Sequence, residues 1–80
     1  MPRLKVLSGK DVLKIFNKFN FEIVGQKGSH VKLKRFEDGF TQTLTVPDHK
    51  ELDKKTLKAI FRQASRYVSE SELKEYFYSK

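Results

Sequence analysis

Apolar residues at helical spacing predict the first element of the chain. They recur at intervals of three and four residues: Val12, Ile15, Phe16 and Phe19. Such spacing places the side chains on one face of an amphipathic helix, while three lysines spaced by four line the opposite, solvated side. Ser8 and Asp11 form an S-x-x-D pattern that is typical of a helix start. The pattern therefore predicts a helix over residues 9–18.

The middle of the chain alternates apolar and polar residues with a period of two, as strands do. Val31 and Leu33 fall on one face of such a strand. His30, Lys32 and Lys34 fall on the other face, which is cationic. The predicted strands, favoured by β-branched and aromatic residues, span residues 21–26, 30–36 and 40–46.

Two glycine-containing turns connect these strands. Asp38-Gly39 tolerates the positive φ of a tight hairpin, so the second and third strands should be antiparallel neighbours. Lys27-Gly28 ends the first strand in the same way. In the third strand apolar residues alternate with threonines, which indicates a sheet that is covered on one face only.

Two more helical segments follow the sheet. Asp53 is a suitable N-cap for a helix over residues 54–66. Ser69 and Glu72 form a second capping pattern, which opens a short helix over residues 70–78. The chain therefore ends in two helices.

This order of elements predicts an α+β domain with its helices on one side of a three-stranded antiparallel sheet. The α-β-β-β-α outline, extended by a short C-terminal helix, resembles the double-stranded RNA-binding domain. We expect one domain over residues 1–80 with its core in residues 8–66. Residues 1–7 form a lead-in, and Ser79 and Lys80 are expected to fray.

Composition narrows the classes of protein that fit this fold. Seventeen Lys and Arg against ten Asp and Glu give a net charge of +7, which attracts RNA or DNA but also acidic proteins. With no cysteine and two histidines, we expect neither a disulfide scaffold nor a metal site, and no cofactor. No apolar run approaches the roughly 18 residues of a membrane span, and no signal-peptide core follows the first residues. A cytoplasmic protein without membrane contact is therefore expected.

The segment around His30 carries the chemistry that the sequence offers. The neighbouring candidates for RNA binding are Lys27, Gly28, Ser29, Lys32 and Lys34. RNA supplies its own nucleophile in the 2′-hydroxyl, so cleavage needs one group that moves a proton and cations that stabilise the charged phosphorane. Without further support, a lone histidine at a strand start is an ordinary surface residue. No carboxylate has the spacing of a triad, so Ser29 suits turn geometry or phosphate binding better than nucleophilic attack.

Several short motifs together resemble the HicA toxins, also called YcfA-like proteins. The motifs are F-E-I-V at 21–24, Q-K-G-S-H at 26–30, D-G at 38–39, V-P-x-H at 46–49 and a T-L helix from Thr56 to Ala64. They cover about residues 8–64. G-S-H alone is too short to identify a family, but the order and spacing of all five motifs make the resemblance specific.

The resemblance implies an mRNA interferase of a type II toxin-antitoxin system, a small ribonuclease that a HicB antitoxin neutralises. The family's catalytic histidine lies in the G-S-H motif and corresponds to His30, with Gly28 and Ser29 shaping the turn. His49, in the V-P-x-H motif, either approaches the RNA or caps the second helix.

Two other functions also fit the residues. A non-catalytic RNA-binding module of the same fold would use the basic face to recognise duplex shape. A protein-interaction domain would instead bind an acidic partner. Replacing His30 by alanine separates the first two functions, because an enzyme would lose turnover and keep affinity.

Overall fold

A helix, three consecutive strands and two further helices form the body of the fold, and a two-residue strand lies at each end. The computed structural model describes residues 3–79. Its elements are β1 (Arg3–Leu4), α1 (Gly9–Lys18), β2 (Glu22–Lys27), β3 (His30–Glu37), β4 (Phe40–Pro47), α2 (Lys54–Ala64), α3 (Glu70–Phe77) and β5 (Tyr78–Ser79). The predicted α+β class is confirmed, with the α-β-β-β-α arrangement of the double-stranded RNA-binding domain and a C-terminal helix.

Helix α1 has the predicted bounds because its start is fixed by a local capping box. The Ser8 hydroxyl accepts a hydrogen bond from the Asp11 amide at 3.0 Å, and the Asp11 carboxylate accepts one from the Ser8 amide at 3.0 Å. These two bonds satisfy amides that the helix itself leaves unpaired. The apolar stripe of the helix, which includes Val12 and Phe16, is buried.

The main sheet has the strand order β2-β3-β4, and both neighbouring pairs are antiparallel. Two-residue turns join the strands, pairing Lys27 with His30 and Glu37 with Phe40. Asp38 and Gly39 both have positive φ, 53° and 80°, as a tight hairpin of this kind requires. Strand β2 starts and ends one residue later than predicted. A β-bulge between Ile23 and Gly25, which the alternation pattern did not predict, shifts its register.

The hydrophobic core lies between the helices and one face of the sheet. Leu33, Leu44 and Val46 point into it from the strands, together with apolar residues of all three helices. The Phe16 ring of α1 packs 6.0 Å from the Phe77 ring of α3, so the C-terminal helix belongs to this core. The Gln63 side chain of α2 accepts a hydrogen bond from the Thr45 amide at 2.9 Å, which fixes α2 beside strand β4.

The two C-terminal helices both end earlier than predicted. Helix α2 ends at Ala64 and not at residue 66, because a tight turn follows in which the Tyr67 and Val68 amides both donate to the Ala64 carbonyl. Helix α3 ends one residue before Tyr78, whose backbone is extended and pairs with Leu4.

The chain ends also differ from the expectation of fraying. Ser79 pairs with Arg3, so strands β1 and β5 form a separate two-stranded antiparallel sheet. The lead-in is therefore held in part by the C-terminal segment. Met1, Pro2 and Lys80 lie outside the described residues.

Arg35 lies on the helix side of strand β3, and its side chain is only 11% exposed. Its guanidinium donates to the Phe19 carbonyl at 3.0 Å and to the Tyr67 carbonyl at 3.1 Å. Its Nε donates to the Gln42 side chain at 2.8 Å and lies 3.2 Å from a Glu37 carboxylate oxygen. Arg35 thus connects the end of α1, the turn after α2 and two strands, and it is a structural residue.

Candidate functional site

The sheet face opposite the helices forms an open, cationic surface, which we call the open face. On β3 it carries the exposed side chains of His30, Lys32 and Lys34, which alternate with the buried Val31 and Leu33. Lys27 of β2 pairs with His30. On β4 the residues opposite are Thr41, Thr43, Thr45 and Pro47. The predicted separation of an apolar face and a cationic face is therefore confirmed.

The turn before His30 is built from residues that suit its geometry. Gly28 has a φ of +60°, a conformation that glycine adopts without steric cost. The Gln26 side-chain amide donates to the Gly28 carbonyl at 3.0 Å and so connects the turn to the end of β2. Because the turn has only two residues, His30 is both the first residue of β3 and part of the hairpin end. Its exposed imidazole is accessible to a large ligand.

The loop after β4 lies against this turn. Strand pairing places Pro47 opposite His30, and the Asp48 amide donates to the Ser29 carbonyl at 2.6 Å. The Gly9 amide at the start of α1 donates to the His49 carbonyl at 2.8 Å. The G-S-H and V-P-x-H segments, well separated in sequence, therefore meet at one end of the sheet. The His49 side chain is exposed there.

Most of the charged side chains on the open face are positive, and their charges are accessible to a ligand. Glu22 of β2 pairs with Lys34 and is the acidic residue opposite the lysines. Within residues 3–79 the one salt bridge joins Arg35 and Glu37, so the ammonium groups of Lys27, Lys32 and Lys34 are not held in ion pairs there. An anion with several charges, spaced along a chain, matches this arrangement.

The predicted site residues lie on the open face and at the turn that begins it. Residues 27–30 form this turn, Lys32 and Lys34 follow along β3, and His49 lies in the loop whose backbone is hydrogen-bonded to the turn. Sequence reasoning missed Phe36, which continues the alternation of the open face and is exposed. The alternation pattern could have identified it, because Phe36 is at an even-numbered position on β3 and so shares the face of His30.

The part of the chain that the structure describes also lacks a metal-binding cluster and a membrane-spanning helix. There, no group of three or more His, Asp or Glu side chains is placed to hold a metal ion. None of the helices within residues 3–79 has the length and apolar character needed to cross a membrane.

Comparison with protein-family models matches residues 9–65 to the HicA toxin of bacterial toxin-antitoxin systems. The matched segment runs from the start of α1 to just past the end of α2 and includes both the G-S-H turn and the loop after β4. Searches of curated proteins and of solved structures find no match. A toxin of a toxin-antitoxin system has an antitoxin as its partner. Since the match covers more than half of the sequence, the chain belongs to the HicA toxin family.

Proposed function

We propose that this protein is an endoribonuclease that cleaves mRNA on the open face, with His30 as the residue that moves the proton. The observation that carries the proposal is the position of His30. It is exposed at the hairpin end, paired with Lys27 and on the same strand face as Lys32 and Lys34. Membership of the HicA family supports the same assignment. Because its substrate is mRNA, we place the activity in the cytoplasm.

The reaction follows from the chemistry of RNA. The neutral imidazole of His30 takes the proton of a 2′-hydroxyl as its oxygen attacks the adjacent phosphorus. The bond from the 2′-oxygen to phosphorus forms, the bond to the 5′-oxygen breaks, and the departing oxygen takes a proton from solvent. The products are a 2′,3′-cyclic phosphate and a 5′-hydroxyl. The lysines stabilise the negative charge that the phosphorane gains in the transition state.

The other predicted residues bind the RNA backbone. Lys32 and Lys34 extend from His30 along β3 and contact successive phosphates. Gly28 and Ser29 let the backbone approach closely at the turn. His49 contacts the RNA from the loop that is hydrogen-bonded to this turn. Loss of His49 should weaken binding more than turnover, whereas loss of Lys32 or Lys34 should reduce both, because the lysines also stabilise the phosphorane.

We propose a HicB-type protein as the antitoxin partner. The open face combines exposed cations with the histidine, so a partner with carboxylates at matching positions can neutralise the charge and exclude RNA together. Such a complex should form faster at low salt, because the attraction between opposite surface charges is screened by ions.

The test is cleavage of an end-labelled single-stranded RNA by purified protein, with and without EDTA. Wild type should cut in both conditions and leave 2′,3′-cyclic phosphate ends. His30→Ala should bind RNA and lose about 100-fold or more in turnover. His49→Ala is the matched control, because it removes the other exposed histidine at the same end of the sheet. It should raise KM and keep most of kcat.

A non-catalytic RNA-binding module is the second candidate, and the α-β-β-β-α arrangement favours it. In that case wild type would bind RNA without cutting it, and His30→Ala would cost only one weak contact. Absence of RNA binding even at low salt would favour a domain that binds an acidic protein instead.

A further inference from the structure

Phe36 is an exposed aromatic residue on the open face. The residue is 74% exposed, although phenylalanine is among the residues most often buried. Alternation along β3 places it on the same face as Lys32 and Lys34, and its partner on β4 is Thr41. The open face is therefore a cationic strip that ends in an aromatic ring.

Phe40 provides a contrast at the same end of the sheet. It is 73% exposed, so the two rings have almost equal contact with water. Phe40 pairs with Glu37, whose carboxylate contacts Arg35 on the helix side. The β3–β4 hairpin thus presents one phenylalanine on each face, and only Phe36 shares a face with His30.

We propose that Phe36 stacks on an unpaired base of the RNA whose phosphates are bound by Lys32 and Lys34, an inference that rests on the proposed function. Every base has a π-face, so an aromatic side chain beside a positively charged groove binds single strands with little preference for sequence. Bases inside a duplex are already stacked on one another and do not present this face. The inference therefore identifies single-stranded RNA as the substrate class.

The geometry also sets the length of RNA that must be bound. Phe36 lies six positions after His30, and an antiparallel strand rises about 3.4 Å per residue, so the two side chains lie about 20 Å apart. An RNA bound at both points extends over several nucleotides to one side of the cleaved bond. A dinucleotide would reach His30 but not Phe36.

The experiment measures RNA affinity in a His30→Ala background, where binding is separated from cleavage. The probe is a fluorescently labelled single-stranded oligoribonucleotide long enough to span the face, and the readout is anisotropy at several salt concentrations. Phe36→Ala should raise the Kd about 5- to 150-fold, the range for loss of one stacked base. Phe40→Ala should change it less than about twofold, and Phe36→Tyr should restore most of the affinity.

Salt dependence distinguishes stacking from charge. Phe36→Ala should leave the slope of log Kd against log salt unchanged, whereas Lys34→Ala should reduce it, because only the lysine releases counterions from the RNA. A Phe36→Ala protein with normal affinity for the long RNA would overturn the inference.

The remaining outcomes separate the inference from the function on which it rests. If the His30→Ala protein with Phe36 intact binds no RNA at low salt, the proposed function fails and the inference fails with it. If it binds RNA, and the Phe36 substitution weakens only the complex with the antitoxin, then Phe36 belongs to a protein interface and the stacking inference is wrong.

Discussion

The Asp48 amide donates a hydrogen bond of 2.6 Å to the Ser29 carbonyl and so joins the two motifs that carry the histidines of this protein. The bond extends the pairing of β3 and β4 by one step beyond His30 and Pro47. A second bond, from the Gly9 amide to the His49 carbonyl, ties the same loop to helix α1. The position of the His49 backbone therefore depends on helix α1 as well as on the sheet.

Gly9→Ala should disturb this junction. A Cβ at position 9 would clash with the Pro47 carbonyl and would lie 2.8 Å from the Asp48 Cα, and backbone atoms cannot move aside as a flexible side chain can. We expect a loss of about 1–3 kcal/mol in the free energy of unfolding, as for other overpacked sites, and a raised KM for RNA. Urea unfolding and cleavage kinetics measure the two effects. Lys10→Ala, at the next and exposed helix position, should leave stability within about 0.5 kcal/mol.

Gly28→Ala should act through backbone strain. Nothing lies within 4 Å of the added Cβ, but the φ of +60° is unfavourable for alanine. The expected cost is about 1–2 kcal/mol, with reduced turnover because the turn positions His30. Gly25→Ala is the matched control, since its Cβ also meets open space and its φ is not positive. Equal stability of the two variants would show that the turn tolerates another geometry.

Arg35 and Lys34 are adjacent on β3 and should have opposite phenotypes. Arg35→Ala removes a guanidinium that contacts the Phe19 and Tyr67 carbonyls, so we expect a loss of roughly 2–4 kcal/mol in stability, typical of charged hydrogen bonds in a shielded position. Lys34→Ala should leave stability within about 0.5 kcal/mol and weaken RNA binding. Thermal unfolding of both proteins measures the effect on stability, and RNA anisotropy measures the effect on binding. A stable Arg35→Ala protein would contradict the structural role.

Acid should destabilise the protein through its helix caps. The hydrogen bond from the Thr56 amide lowers the pKa of Asp53 below its usual value of 3.8, and the bond from the Ser8 amide does the same to the pKa of Asp11. A lowered folded-state pKa means that the stabilisation is present above the unfolded pKa and is lost as pH falls through the folded value.

The variant Asp53→Asn tests this origin. An amide oxygen still accepts the Thr56 hydrogen bond at the N-cap but does not titrate in this range. Urea midpoints measured from about pH 5 down to about pH 2 should therefore fall less steeply for the variant than for wild type. Parallel curves would assign the acid sensitivity to other carboxylates.

Elements whose start or turn is fixed by residues close together in sequence were predicted accurately. Helix α1 has its predicted bounds because Ser8 and Asp11, within one turn of each other, fix its start. The hairpin at Asp38-Gly39 follows from two residues that accept positive φ. Helix α2 was predicted too long, because no comparable residue marks its end and the basic pattern continues to Arg66.

Features that depend on distant residues were not predicted. The pairing of β1 with β5 joins segments from the two ends of the chain, and neither segment has an alternation pattern of its own. The buried contacts of Arg35 were also missed, because they reach the carbonyls of Phe19 and Tyr67, which are far from Arg35 in sequence. Alternation along β3 could have placed it correctly, because position 35 is odd-numbered, like that of the buried Leu33.

The proximity of the two histidine motifs follows from register once the hairpin is known. A two-residue turn at Asp38-Gly39 pairs Glu37 with Phe40, and counting back along both strands pairs His30 with Pro47. The contact of His49 with Gly9 could not be obtained this way, because it depends on how α1 packs across the sheet.

The pairing of Arg3 with Ser79 has a practical consequence for protein engineering. Paired strands hold their backbones about 5 Å apart, so a short glycine-rich linker can join these two positions without distorting either. A circular permutant opened between Asp38 and Gly39 would then keep every element of the core and place its new termini about 20 Å or more from His30. Fusion partners attached at those termini would lie close to Phe36 and at the opposite end of the sheet from His30.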